Sequence, residues 1–144
     1  MDSYQVINTL RAFLDTEMSG DERKYEGIGI VLDPYADIPT PGILLEAETT
    51  DPELSAKGLI SKQTHGISIT VFTAVKKNDT ASVYKPAVIA LHRKLIESIH
   101  AMIKADHEHL KFKIGKWIHG EVMLGSIKAS AITTPLEVTT LWNG

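Results

Sequence analysis

The stretch Gly66-Ile67-Ser68-Ile69-Thr70-Val71-Phe72-Thr73-Ala74-Val75 decides the fold. Ile67, Ile69, Val71, Thr73 and Val75 recur with the two-residue period of a strand. Phe72 and Ala74 fall on the opposite face, which predicts a central strand covered in part on both sides. A polar turn follows, Lys76-Lys77-Asn78-Asp79-Thr80, and then a helical pattern to about Ala105. Within it Tyr84, Val88, Leu91, Leu95, Ile99 and Met102 are spaced 4, 3, 4, 4 and 3 residues apart, one continuous helical stripe. Asp79, Thr80 or Ser82 is placed to cap this helix, and Pro86 fits a first turn, which puts the start near Tyr84 or Lys85.

The helix carries a second apolar row. Ile89, Ile96 and Ile103 repeat every seven residues, roughly 100° round from the main stripe. A wide core-facing side accounts for such a row. So does a shoulder kept for a subunit contact, because exposed apolar surface marks interfaces. Arg93, Glu97 and Lys104 mark the wet side.

Upstream, Ser3 or Asp2 caps a first helix to about Met18, with Ile7, Leu10, Leu14 and Met18 as its core face and Val6 and Phe13 on one shoulder. Residues 27–32 read as a short strand. The prolines at 39 and 41 force an extended lead into a strand over residues 42–48. Residues 49–57 are polar and acidic and read as a mobile loop, with Glu46, Glu48, Asp51 and Glu53 in or just before it. Residues 58–63 begin the next strand. Downstream, residues 116–124 and 127–133 alternate like strands, and 136–142 close the chain with Leu136, Val138, Thr140 and Trp142 on one face. Pro135 requires that strand to be an edge, bulged or ended there. The reading is one α+β domain over residues 1–144: a mostly antiparallel or mixed sheet with two helices packed on one face.

Composition excludes several function classes. With 144 residues, 23% charged and a net charge of -3, the chain lacks the basic footprint of a dedicated nucleic-acid binder. It has no cysteine, which removes disulfides, thiolate metal sites and a cysteine nucleophile. No apolar run reaches the roughly 18 residues of a membrane helix, and the N-terminus lacks a signal-peptide pattern. A protein folded in a cytoplasm, without membrane attachment, is expected.

Chemistry-bearing motifs are sparse. There is no Walker A sequence, dinucleotide loop or His-Glu-x-x-His. His100, His107 and His109, with Asp106 and Glu108, invite a metal reading. His100 and His107 lie about two helical turns, near 10 Å, apart, so a solvated capping cluster at the helix end accounts for them better. His119 and Glu121, two apart on a strand, share a side with Trp117 and Met123. They would serve a small enzyme as an acid/base couple, or equally form a polar cross-strand row. Lys111, Lys113 and Lys116 suit a solvated edge strand. No metal, cofactor or catalytic residue is assigned.

The order of elements resembles the tail terminator (tail completion) proteins of long-tailed bacteriophages. The likeness rests on Asp37-Ile38-Pro39-Thr40-Pro41-Gly42-Ile43-Leu44-Leu45, the acidic stretch 46–53, and the alternating strand ending Val71-Phe72. The helix over 84–103 and a closing strand near the terminus complete it. A strand-rich stretch over 111–126 and the break at Pro135 depart from that pattern. They keep another head–tail joining neck protein as an alternative. The resemblance implies a non-enzymatic virion protein of the tail or neck, assembled in the host cytoplasm. Its copies would form a ring, usually a homohexamer, on the head-proximal end of the tail tube. The ring ends tube polymerisation and docks to the head–tail connector, and DNA passes through its lumen without sequence-specific contact. Glu46, Glu48, Asp51 and Glu53 are then candidates for contacts with a neighbour or the tube protein, and Ile89, Ile96 and Ile103 for ring contacts. A small cytoplasmic enzyme using His119 and Glu121, or a regulatory ligand-binding domain, are readings from other classes.

Overall fold

The computed structural model describes residues 1–19, 29–31, 41–76, 79–106, 109–124 and 127–142. Helix α1 (Ser3–Ser19) starts on a reciprocal cap. The Asp2 carboxylate accepts from the Gln5 N–H at 2.8 Å, and the Gln5 amide oxygen accepts from the Asp2 N–H at 2.8 Å. Its expected core face, Ile7, Leu10, Leu14 and Met18, is buried together with Val6.

The strands are β1 (Gly29–Val31), β2 (Gly42–Leu54), β3 (Ile60–Ala74), β4 (Lys111–Ile114), β5 (Ile118–Leu124) and β6 (Ile127–Leu141). They form one sheet in the order β1-β2-β3-β6-β4, with β5 also paired to β6. β1 runs parallel to β2 and the remaining described pairings are antiparallel. The second helix, α2 (Ala81–Lys104), lies beside α1 on the same face of this sheet. The fold is therefore α+β, with a mixed, mostly antiparallel sheet and both helices on one side. The main core joins Leu10 and Leu14 of α1, Leu95 and Ile99 of α2, Leu45 of β2, Ile69 of β3 and Val138 of β6. A smaller cluster on the opposite sheet face holds Leu44, Phe72, Ala129 and Ala131, with Val122 against it. Phe72 thus makes β3 a strand covered on both sides, as its pattern predicts. Among the described residues no helix is long and apolar enough to cross a membrane.

Besides small shifts at strand ends, such as β3 starting at Ile60 and β5 at Ile118, three larger differences from the sequence reading stand out. First, residues 49–54 are strand, not loop. β2 runs on to Leu54 against β3, pairing Thr50 with His65, Asp51 with Thr64 and Glu53 with Lys62. Only residues 55–59 connect them, where Gly58 adopts a positive φ of 78° and donates its N–H to the Ser55 carbonyl at 2.9 Å. The strand is held by ladder hydrogen bonds while its side chains stay exposed, so no apolar alternation announces it. Second, α2 begins at Ala81, after an N-cap Thr80 that makes no side-chain cap bond. Pro86 sits inside the helix, where it lacks the donor for Ser82. Ser82 is exposed, so water can replace that donor.

Third, Pro135 does not end its strand or lie at an edge. β6 is a single strand between β3 on one side and β4 and β5 on the other. The Pro135 carbonyl accepts from the Gly115 N–H at 2.8 Å. A strand residue points its N and its C=O to the same side, so the missing donor also faces β4 and β5. The accommodation is made there: Ile114 pairs with Leu136 and Ile118 with Thr133, which sets residues 115–117 against residues 134–135 as a bulge. Gly115 is required by the close approach, because a Cβ on it would stand 2.7 Å from Pro135 Cγ and 3.3 Å from its carbonyl oxygen. Gly115→Ala is expected to cost about 1–3 kcal/mol in urea unfolding, the usual range for forced overpacking. Gly120→Ala, whose Cβ meets nothing within 4 Å, serves as the near-neutral control.

Candidate functional site

The bulge has a consequence for the surface. It carries Trp117 onto the helix-bearing side, where the indole meets the His92 ring of α2 at a centroid distance of 4.9 Å and an angle of 57°. His92 is buried, and its Nε2 lies 2.7 Å from the Thr134 hydroxyl on β6. Burial, and after it the charge of nearby His119, pushes the His92 pKa below its ordinary value. Above this pair an open groove of about 440 Å³ runs between α2 and β5, with Ile89, Ile96, Trp117 and Ile132 among its apolar lining and Arg93, Glu97 and His100 among its polar lining. Arg93 and Glu97 pair at 3.6 Å on the helix surface, as their spacing predicts.

Of the second isoleucine row, Ile89 and Ile96 line this groove, and none of the three is among the buried core residues. Ile89 is 49% exposed and Ile103 42% exposed, while Ile96 is half-buried along the groove. Trp117, just before β5, and Met123 within it continue the exposed apolar surface on this side, while Ile118, opposite Thr133, is exposed on the other face of the sheet. By contrast Val88, Leu91, Leu95, Ile99 and Met102 are buried, and Tyr84, the first residue of the stripe, is half-exposed.

His119 and Glu121 pair with Ile132 and Ser130 and so point to the helix side, as alternation predicts. They face a cleft of about 320 Å³ with Tyr84, Lys85 and Ile89. Glu121 is held by Lys128 Nζ at 3.1 Å and by the Tyr84 hydroxyl at 3.4 Å. Among the described residues His119 makes no hydrogen bond to Glu121. The carboxylate is tied to a cation and a phenol rather than to its supposed partner, which is the geometry of a strand-to-helix tether more than of an acid/base couple.

At the C-terminal end of α2, His109 Nδ1 approaches Asp106 Oδ2 at 2.9 Å, both residues adopting positive φ. His107 and Glu108 lie outside the described residues. Among the described residues no group of three or more metal-ligating side chains converges.

The acidic residues are spread along the far arm of the β2–β3 hairpin. Glu46 is half-exposed, Glu48 sits at the β2 irregularity between Ala47 and Thr49, and Asp51 and Glu53 are exposed. The hairpin end carries two exposed leucines, Leu54 at 59% and Leu59 at 67%. At the base of this arm, fully buried His65 joins three elements. Its Nδ1 lies 3.2 Å from both the Ser3 and the Thr50 hydroxyls, and its Nε2 lies 3.2 Å from Thr140 Oγ1. Burial lowers its pKa most and the N-terminal ammonium lowers it further, while the Met1 carbonyl and the Asp2 carboxylate act in the opposite direction without overcoming burial.

His65 and His92 are the residues that motif searching passes over. Both are legible by period: His65 continues the Ile67, Ile69, Val71 face of β3, and His92 lies in the Val88, Leu95, Ile99 sector of α2. Compared with models of known protein families, the chain matches none, and no curated protein matches it either.

Proposed function

We propose that this chain is a tail terminator of a long-tailed phage, a virion protein whose copies form a ring on the head-proximal end of the tail tube. The observation that carries the proposal is the uncovered apolar surface along α2 and the helix-facing side of β5, with Ile89, Ile103, Trp117 and Met123 exposed on a single protomer. A chain that works by assembly needs such a surface, and the resemblance in element order supplies the kind of assembly. The arm of β2 and β3, exposed over most of its length, is the second surface such a protein needs for a neighbour or the tube. In this reading there is no catalysis, DNA threads the lumen without base contacts, and the outer ring face receives the connector. Another neck protein joining head and tail uses the same surfaces; its position in the particle, on the connector rather than the tube end, separates the two.

The test is direct. Light scattering after size exclusion is expected to give a discrete oligomer, most simply of six copies. Electron micrographs should place it at one end of tail tubes whose growth it stops. A strict monomer that leaves tubes growing would overturn the proposal. Ile89→Asp is expected to reduce the oligomer at least tenfold at fixed concentration while leaving thermal unfolding of the monomer nearly unchanged, because the side chain is already half in water. Unfolding of that variant would count against the interface role of the row.

A further inference from the structure

We infer that the sheet's two lateral borders are complementary: the acidic outer side of β2 joins the lysine-bearing outer side of β4 on a second copy of this chain. The inference deepens the ring proposal by naming the surfaces, and it can fail while that proposal stands.

Among the described residues β1 covers β2 only from Gly42 to Leu44, so residues 45–54 have no outer partner. The far border, β4, is likewise unpaired on its outer side. The two borders carry opposite charge. Register places Glu46 opposite Ser68 and Asp51 opposite Thr64, all on the sheet face away from the helices. Lys111 and Lys113 pair with Thr139 and Glu137 and lie on that same face. Asp51, Thr64, Thr139 and Lys111 form one row across the sheet, with the Thr64 and Thr139 hydroxyls 3.1 Å apart within it. Asp51 and Lys111 are therefore the two ends of a single row. Opposite charges also stand one strand inward, Lys62 beside Glu53 and Glu137 beside Lys113. Among the described residues none of these forms an ion pair.

Strand direction fits as well. Three antiparallel steps separate β2 from β4, so the two run oppositely. Copies set side by side in one orientation bring β4 antiparallel to the next β2, with Asp51 level with Lys111. A two-fold pairing of either border with itself would set like charges together, which is destabilising. The charges thus exclude the self-complementary contact and favour the head-to-tail one, the kind that closes rings.

Two variants of the full chain test this: Asp51→Lys with Glu53→Lys, and Lys111→Glu with Lys113→Glu, both at exposed positions. Each alone is expected to weaken association at least tenfold by sedimentation, with an unchanged circular dichroism spectrum. An equimolar mixture of the two should associate again, because every altered border then meets its complement. Association of wild type should also weaken as salt rises. Variants that associate like wild type, or a mixture that stays dissociated, overturn the surface assignment and leave the ring proposal standing. A wild-type monomer overturns both. Association through these borders without tube capping sinks the terminator reading and keeps this one.

Discussion

Leu95→Ala is expected to lower stability by about 2–5 kcal/mol, while Ile89→Ala on the same helix changes it by less than about 0.5 kcal/mol. Leu95 is fully buried in the cluster that joins both helices to β2, β3 and β6, so truncation leaves a cavity with no backbone free to collapse into it. Ile89 faces the groove and is 49% exposed, so the same truncation removes little buried surface. Urea unfolding would show the first as a lower midpoint at constant slope and the second as an unchanged midpoint. Equal losses would mean that the second isoleucine row is core and that the groove is closed in solution.

The contrast between those two residues also measures what the sequence made legible. The two helical periods of residues 84–103 are resolved correctly by spacing, because a helix turns its residues at a fixed angle whatever covers them. Spacing cannot say what meets each face, since that depends on strands distant in the chain. The α1 face and the β3 alternation were readable for the same reason: each is a local period with one side in the core. The distal arm of β2 was not. Thr49, Thr50, Asp51 and Glu53 bear no apolar alternation, and the strand exists because β3 supplies its ladder partners. Strand pairing is a non-local fact, and polarity alone reads as a loop.

Pro135 shows the same limit more sharply. Its chemistry predicts a defect in the ladder, and a defect is present, but on the neighbouring strand. The bulge at 115–117 absorbs the missing donor, fixes Gly115 by contact and delivers Trp117 to His92. A backbone constraint in β6 thereby shapes the groove beside α2. Of the candidate surface residues, Glu46, Glu48, Asp51 and Glu53 were legible by charge, whereas the period of Ile89, Ile96 and Ile103 left a core-facing side and an exposed shoulder both open. That Asp51 and Glu53 stand on one border of the sheet and Lys111 and Lys113 on the other was not legible, because it requires the strand order.

Acidification from about pH 7 toward pH 5 is expected to destabilise the fold, with His65 and His92 carrying much of the loss. Burial lowers both pKa values in the folded chain, so the folded state stays neutral where the unfolded state, near the ordinary value of about 6.5, takes up protons. The unfolded chain then binds more protons, and stability falls as pH falls, by up to about 1.4 kcal/mol per pH unit for each histidine. The loss begins near the unfolded value and stops below the lowered folded one. His65 is the more consequential of the two. Its ring ties Ser3 of α1, Thr50 of β2 and Thr140 of β6, so protonation charges a polar joint between the first helix and the hairpin arm. His65→Gln keeps hydrogen-bonding capacity but does not titrate. It should cost about 1–2 kcal/mol at pH 7.5 through imperfect partners and should reduce the slope of stability against pH between 7 and 5. Adding His92→Gln should reduce it further. If the slope is unchanged in both variants, carboxylates elsewhere carry the acid sensitivity. If instead the slope steepens, His65 gains a proton on folding, and the three hydroxyls around it hold an imidazolium rather than a neutral ring.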